Sequence, residues 1–207
     1  MKNDRVVCLA SGGGRTVENL VRLCRSGALS AEIQLVIASS GKAGVVKRAQ
    51  NLDLNVLVID KSRYESLAHY HGVLIGAVLE ARPDWVVLAG WLQLFPVPPA
   101  LEGRVINIHP ALLPAYGGKG YYGNRVHQAV AKDGCSMSGC TVHFATEEYD
   151  QGPILLQEAV EIPVGTSAEQ IAELVFEAEK RALPQALEAL ISGTALWEDG
   201  EVQWRKD

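Results

Sequence analysis

Through its first ninety or so residues the chain alternates between two hydrophobic periods. Short runs apolar on both faces are followed by stretches with helical spacing. Arg5 to Ala10 (RVVCLA), Ile33 to Ala38 (IQLVIA), Asn55 to Ile59 (NVLVI) and Asp84 to Ala89 (DWVVLA) read as buried strands. Thr16 to Arg25 carries Val17, Leu20, Val21 and Cys24 on one helical face. Ala43 to Leu52 and Tyr64 to Ala81 read as further helices, the second stopped at Arg82-Pro83. Strands buried on both faces and joined by helical crossovers imply a parallel, doubly wound α/β sheet.

The later half has fewer regular signals. Val105 to Ile108 (VINI) predicts a fifth strand, and His109 to Tyr122, rich in Pro, Gly and Tyr, a loop. Asn124 to Lys132 predicts a short helix, and Gly139 to Ala145 and Ile154 to Ile162 two strands. Thr166 to Ile191 predicts a long helix with Thr166 or Ser167 as N-cap, Pro184 as a kink point and Gly193 past its end. Ala195 to Trp204 has room for one or two short strands.

Composition narrows the function classes. At 207 residues, 48% hydrophobic and 21% charged, the chain fits one globular domain spanning 1–207, two at most. A formal net charge of -5 offers no general basic face, so small-molecule substrates are expected rather than nucleic acid. No apolar run approaches the roughly 18 residues of a membrane span, and the start lacks a signal-peptide core, so a cytoplasmic protein without a membrane partner is expected. Cys8, Cys24, Cys135 and Cys140 form no C-x-x-C pair and read as free structural thiols.

Two places carry candidate chemistry. Ser11-Gly12-Gly13-Gly14-Arg15-Thr16 joins the first strand to the first helix. Glycines permit close backbone approach, and a helix N-terminus favours a phosphate. The bland alternative is a tight strand-to-helix turn. A dinucleotide fingerprint fits poorly, because Val17 stands where Gly or Ala is required and Ser39-Ser40 ends the second strand without an acid. The second place is Asn107-Ile108-His109-Pro110, closing the fifth strand. Alternation sends Asn107 and His109 to one side, at the strand end where α/β proteins bind ligands. An amide donor can stabilise an oxyanion and an imidazole can carry a proton. Asp150, in a Gly/Pro turn, either braces that turn or pairs with His109 and raises its pKa.

The segments Asn107-Ile108-His109-Pro110-Ala111-Leu112-Leu113-Pro114, Gly139-Cys140-Thr141-Val142-His143-Phe144 and Asp150-Gln151-Gly152-Pro153-Ile154-Leu155-Leu156-Gln157 resemble signatures of the folate-dependent formyltransferases, and among them the phosphoribosylglycinamide formyltransferases. The glycine turn and Leu88-Ala89-Gly90-Trp91 match in order, and the resemblance runs from about Arg5 to Gly193. It implies a Rossmann-like formyltransferase fold and formyl transfer from 10-formyltetrahydrofolate to the amine of glycinamide ribonucleotide, without a metal. It further implies that Asn107 and His109 polarise the formyl carbonyl and that Asp150 holds His109 charged. Leu92, Gln93, Leu94 and Phe95, with Asn107, would bind the folate. Gly13, Gly14, Arg15, Thr16 and Glu179 would lie at the ribonucleotide phosphate.

Several positions depart from that pattern. Arg15-Thr16 replaces the usual Ser-Asn, Ser40 an Asn, Leu92-Gln93 the frequent Met-Arg, Leu67 an Arg and Lys180 a His, and the loop Gly117 to Gly123 is long. The departures sit at substrate-reading positions, which leaves another amine acceptor, such as an amino sugar nucleotide, and a non-catalytic folate- or nucleotide-binding homologue as alternatives. A methionyl-tRNA formyltransferase would need a further RNA-binding domain and a formyltetrahydrofolate hydrolase an N-terminal one, for which the chain leaves no room. His143, mid-strand, reads as structural; His127, early in its helix, is open between substrate contact and core. Neither monomer nor homodimer is favoured.

Overall fold

The computed structural model describes residues 3–205. Seven strands are hydrogen-bonded in the order β3-β2-β1-β4-β5-β6-β7: β1 Asp4–Ala10, β2 Ala31–Ala38, β3 Val56–Val58, β4 Trp85–Leu88, β5 Val105–His109, β6 Met137–Phe144 and β7 Ile154–Glu161. The β1–β2, β1–β4 and β2–β3 pairs are parallel and β6–β7 is antiparallel. This is the mostly parallel α/β sheet expected from the alternation. The described residues divide into two compact units between Ile106 and Asn107.

In the first unit Val6 to Ala10 are fully buried, as a strand apolar on both faces requires. Helix α1, Arg15–Ser26, begins at Gly14, whose φ of 77° places it in the left-handed region. A side chain there would also meet Val45 Cγ2 at 2.6 Å, so only glycine fits. Gly27 closes the helix, and Ala28 N–H bonds Leu23 O. Helix α2 spans Gly44–Asn51.

Helix α3 covers Leu67–Glu80, later than the expected Tyr64. Two local caps compete for that start. Asp60 accepts from Ser62 N at 3.0 Å and opens a separate 3-10 turn at Lys61–Arg63, which ends at Tyr64. Ser66 Oγ then accepts from His69 N at 3.1 Å and opens α3.

In the second unit α4 spans Asn124–Lys132, as the sequence predicts. Helix α5, Ala168–Ile191, starts at Ser167 rather than Thr166, because Ser167 and Gln170 form a reciprocal capping box. The helix continues through Pro184. Strands β8, Ala195–Glu198, and β9, Glu201–Trp204, form a hairpin whose turn residues Asp199 and Gly200 both have positive φ, the form two-residue hairpins prefer. None of the four cysteines is in a disulfide among the described residues.

Candidate active site

Four polar side chains converge inside the second unit. Asn107 and His109 come from the end of β5, His143 from β6, and Asp150 from the turn before β7. Their alternation on β5 sends both side chains the same way, and His143 joins them from its own strand. The side chains of His109, His143 and Asp150 are 4%, 2% and 10% exposed. Burying such groups is unfavourable unless each finds partners, and each does; Asn107 is half-buried beside them.

The partners fix the chemistry of each ring. His109 Nε2 lies 2.8 Å from Tyr116 O. A carbonyl only accepts, so Nε2 carries the hydrogen and Nδ1 of the neutral ring holds the lone pair. Nδ1 faces Asp150 Oδ1 at 3.5 Å. His143 Nδ1 is 2.9 Å from Phe144 O and must donate there, which leaves His143 Nε2 as an acceptor. Asn107 Nδ2 donates to it at 2.9 Å. The second hydrogen of that amide has only a long contact, 3.4 Å, to Asp150 Oδ1. One N–H is therefore pinned and the other loosely held.

Asp150 accepts from Gly118 N at 2.8 Å through Oδ2, and its φ is 57°. Burial pushes its pKa up, but the close His143 and His109 rings and the Gly118 N–H outweigh burial and hold it below the ordinary carboxylate value. Burial dominates at His109 and lowers its pKa, against the opposing pull of Asp150 and Tyr116 O. The resemblance implies that Asp150 holds His109 charged; the carboxylate does pull that way, and burial of the ring opposes it. The surroundings of Asp150 favour its ionised form, and burial of the imidazole favours the neutral ring over the charged one. His143, read as structural, also orients a neighbour, since its Nε2 accepts from the Asn107 amide. The signal was present in the alternation of Thr141 and His143 along one strand.

The loop carrying Tyr116 and Gly118 is itself anchored. Thr141, fully buried, donates to Ala111 O at 2.7 Å and accepts from Leu113 N at 3.0 Å. Gln157 Nε2 bonds both Thr141 Oγ1 and Leu113 O, at 2.9 and 3.0 Å. His127, on α4, is 6% exposed and its Nδ1 has no hydrogen-bond partner among the described residues. Burial, helped by His109, lowers its pKa to about 4. Glu179 is half-buried on α5, and its charge is felt at Cys140.

The other candidate residues belong to the first unit. Gly12 and Gly13 are exposed and Gly14 is buried. Arg15 is exposed and Thr16 half-buried, and the N-cap residue Gly14 supplies no side-chain hydrogen bond to the α1 N-terminus. Arg48 Nε donates to Gly13 O at 2.8 Å while its guanidinium pairs with Glu18, which braces the turn. Leu92 N donates to Ser11 Oγ at 3.1 Å, tying the start of the 92–95 segment to that same turn. Leu92 is exposed, Gln93 and Leu94 are half-buried, and Phe95 is buried. Among the described residues no helix is long and apolar enough to cross a membrane, and no group of His, Cys, Asp or Glu could hold a metal ion.

A donor amide beside a buried imidazole–carboxylate pair, at a strand end of an α/β sheet, defines the class: a protein equipped to move a proton while stabilising an oxyanion. Residues 4–187 match the Formyl transferase family, and the chain belongs to it. It is 33% identical to the chloroplastic phosphoribosylglycinamide formyltransferase of Vigna unguiculata, over 100% of this chain and 65% of that protein. The chain therefore spans just under two thirds of that relative's length. Among solved structures, glycinamide ribonucleotide transformylase 1 from Symbiobacterium toebii superposes with a TM-score of 0.89 at 29% identity, covering 99% of this chain and 95% of that one. Phosphoribosylglycinamide formyltransferase from Brucella melitensis gives 0.83 at 35% identity, covering 95% and 100%.

Proposed function

We propose that this chain transfers a formyl group from 10-formyltetrahydrofolate to the amine of glycinamide ribonucleotide, a step of purine biosynthesis. The observation that carries the reaction type is the Asn107 amide, pinned by His143 and offering a second N–H beside the His109–Asp150 pair. The names of the relatives matched along the chain support the acceptor.

The residues would act as follows. The amine nitrogen attacks the formyl carbon and the carbonyl electrons move onto oxygen. Asn107 turns its loosely held N–H to that oxyanion, a stabilisation worth about 3 kcal/mol in comparable sites. The new ammonium is acidic and gives its proton to the Nδ1 lone pair of neutral His109. There the proton lies against Asp150 Oδ1 in a charge-assisted bond. It then passes to the folate nitrogen as the carbon–nitrogen bond to the formyl group breaks. No covalent bond to the protein forms and no metal is required.

In the same reading Leu92, Gln93, Leu94 and Phe95 hold the folate, with Asn107 at the formyl group. Gly13, Gly14, Arg15 and Thr16 receive the phosphate at the α1 N-terminus, and Glu179 is the further residue that the resemblance assigns to phosphate binding. The protein acts on small molecules in the cytoplasm, with no nucleic-acid or membrane partner. The test is an assay with 10-formyltetrahydrofolate and glycinamide ribonucleotide. Folate turnover that depends on this amine supports the proposal. Turnover without any amine, or only with an amino sugar nucleotide, refutes the acceptor, and tight folate binding without turnover refutes the enzyme. His109→Asn should abolish turnover while folate affinity stays nearly unchanged.

A further inference from the structure

We propose that Tyr116, anchored by Asp133, is a positioning residue that holds His109 as its Nε2–H tautomer. The inference rests on the reading of His109 as the proton carrier. In neutral imidazole either nitrogen can hold the hydrogen, and only Nδ1 faces Asp150 here. If the hydrogen moved to Nδ1, that position would already be filled and the proton from the amine could not enter it. The Tyr116 carbonyl, 2.8 Å from Nε2, prevents this by accepting the hydrogen on the opposite side.

That carbonyl needs its own support. Tyr116 has a φ of 54°, a region a bulky side chain adopts only when surrounding contacts hold it. The contacts come from the far end of the side chain. Tyr116 Oη donates to Asp133 Oδ2 at 2.8 Å and lies 3.2 Å from Cys135 Sγ. The carboxylate can only accept, so the phenol donates to it and the thiol can donate to the phenol oxygen. Hydrogen bonds to Cys135 and then Asp133 raise the phenol pKa, which keeps the donor protonated. Asp133 is the C-cap of α4, with its N–H on Ala129 O at 2.9 Å, so the anchor sits on a helix and not on another loop. The Tyr121 ring meets Tyr116 edge-on at 6.0 Å between centroids.

The neighbouring backbone grips the other partner. Gly118 N bonds Asp150 Oδ2 at 2.8 Å. A Cβ on Gly117 would lie 2.5 Å from Leu113 Cδ2 and 3.4 Å from Asp150 Cβ, so the segment approaches the carboxylate closely. Residues 116–118 thereby set both members of the proton-carrying pair, and the phenol–carboxylate bond sets residues 116–118.

The experiment uses the full chain with Tyr116→Phe, Asp133→Ala, Asp133→Asn and the Tyr116→Phe/Asp133→Ala double variant. Imidazole 15N spectra at neutral pH report the tautomer without any substrate. Wild type should show a single Nε2–H form at His109, and Tyr116→Phe and Asp133→Ala a mixture. In turnover each should lower kcat roughly tenfold, as for a reacting group left less well placed, with KM for both substrates within about twofold. The double variant should be no worse than either single one, and Asp133→Asn, which can still accept from the phenol, should recover most of the rate. A single Nε2–H form persisting in both Tyr116→Phe and Asp133→Ala overturns the proposal. So does a rise in KM with kcat unchanged. Because the spectra need no substrate, a wrong acceptor or a wrong reaction leaves the tautomer result legible.

Discussion

Thr141→Val should destabilise the protein far more than an isosteric change in a strand normally does. The hydroxyl is fully buried and serves three groups: it donates to Ala111 O at 2.7 Å and accepts from Leu113 N at 3.0 Å and Gln157 Nε2 at 2.9 Å. Ala111 and Leu113 are themselves buried, at 1% and 6% exposure. Valine keeps the shape and even favours the strand, but it leaves one backbone carbonyl and one backbone N–H without a partner or water. Each such group costs about 1–3 kcal/mol. Gln157 keeps its bond to Leu113 O, so the third loss is partial. The expected loss is about 2–5 kcal/mol, a large share of a typical domain's stability. Equilibrium urea unfolding, followed by far-UV circular dichroism, measures it. Thr141→Ser is the control, since it keeps the hydroxyl and loses one methyl, costing about 1 kcal/mol. A loss below about 1 kcal/mol in Thr141→Val, or equal losses in the two variants, would refute the account. Turnover should fall as well, because the anchored loop continues into the Tyr116 and Gly118 contacts with His109 and Asp150.

Four further outcomes follow from the same structure. Gly152→Ala would set a Cβ 1.8 Å from Phe144 O, displacing the turn that carries Asp150; kcat should drop by roughly 100-fold, and an unchanged rate would mean Asp150 is not held by that turn. His127 has a folded pKa of about 4 against 6.5 ordinarily, so it contributes stability above 6.5 that is lost as pH falls towards 4. That gap is worth at most about 3 kcal/mol; His127→Leu should flatten the pH dependence of urea stability between those limits. Burial lowers the His109 pKa, so the acid limb of kcat/KM should lie below 6.5, activity falling as the ring takes up a proton; a limb above 6.5 contradicts the neutral resting ring. Ser167→Ala removes one half of the α5 capping box and should cost about 1 kcal/mol in thermal or urea unfolding.

Much of the fold was legible because its signals are local. Val6 to Ala10, buried on both faces, and the 3.6-residue spacing of Val17, Leu20 and Val21 follow from short-range patterning. Where several local preferences competed the edges shifted, as at α3, where Asp60 and Ser66 each capped a separate turn. Asn107 and His109 were legible as a pair because strand alternation alone puts them on one side. Asp150 was legible only through resemblance, since no spacing rule brings a residue 41 positions beyond His109 to within 3.5 Å of it.

What only tertiary structure decided is what each of those groups does. The choice of the Nε2–H tautomer at His109 depends on a backbone carbonyl, which every residue possesses and no sequence marks. His143 became the partner of Asn107 because β6 delivers its ring to that amide. The lowered pKa of His109 is the outcome of a contest between burial and the field of Asp150, and burial is a sum over atoms contributed from distant parts of the chain. The sequence by itself determined which functional groups exist and which strand ends carry them, because covalent order and side-chain period suffice for that. Their protonation, orientation and partners were decided by packing, because hydrogen bonds and desolvation act through space and not along the chain.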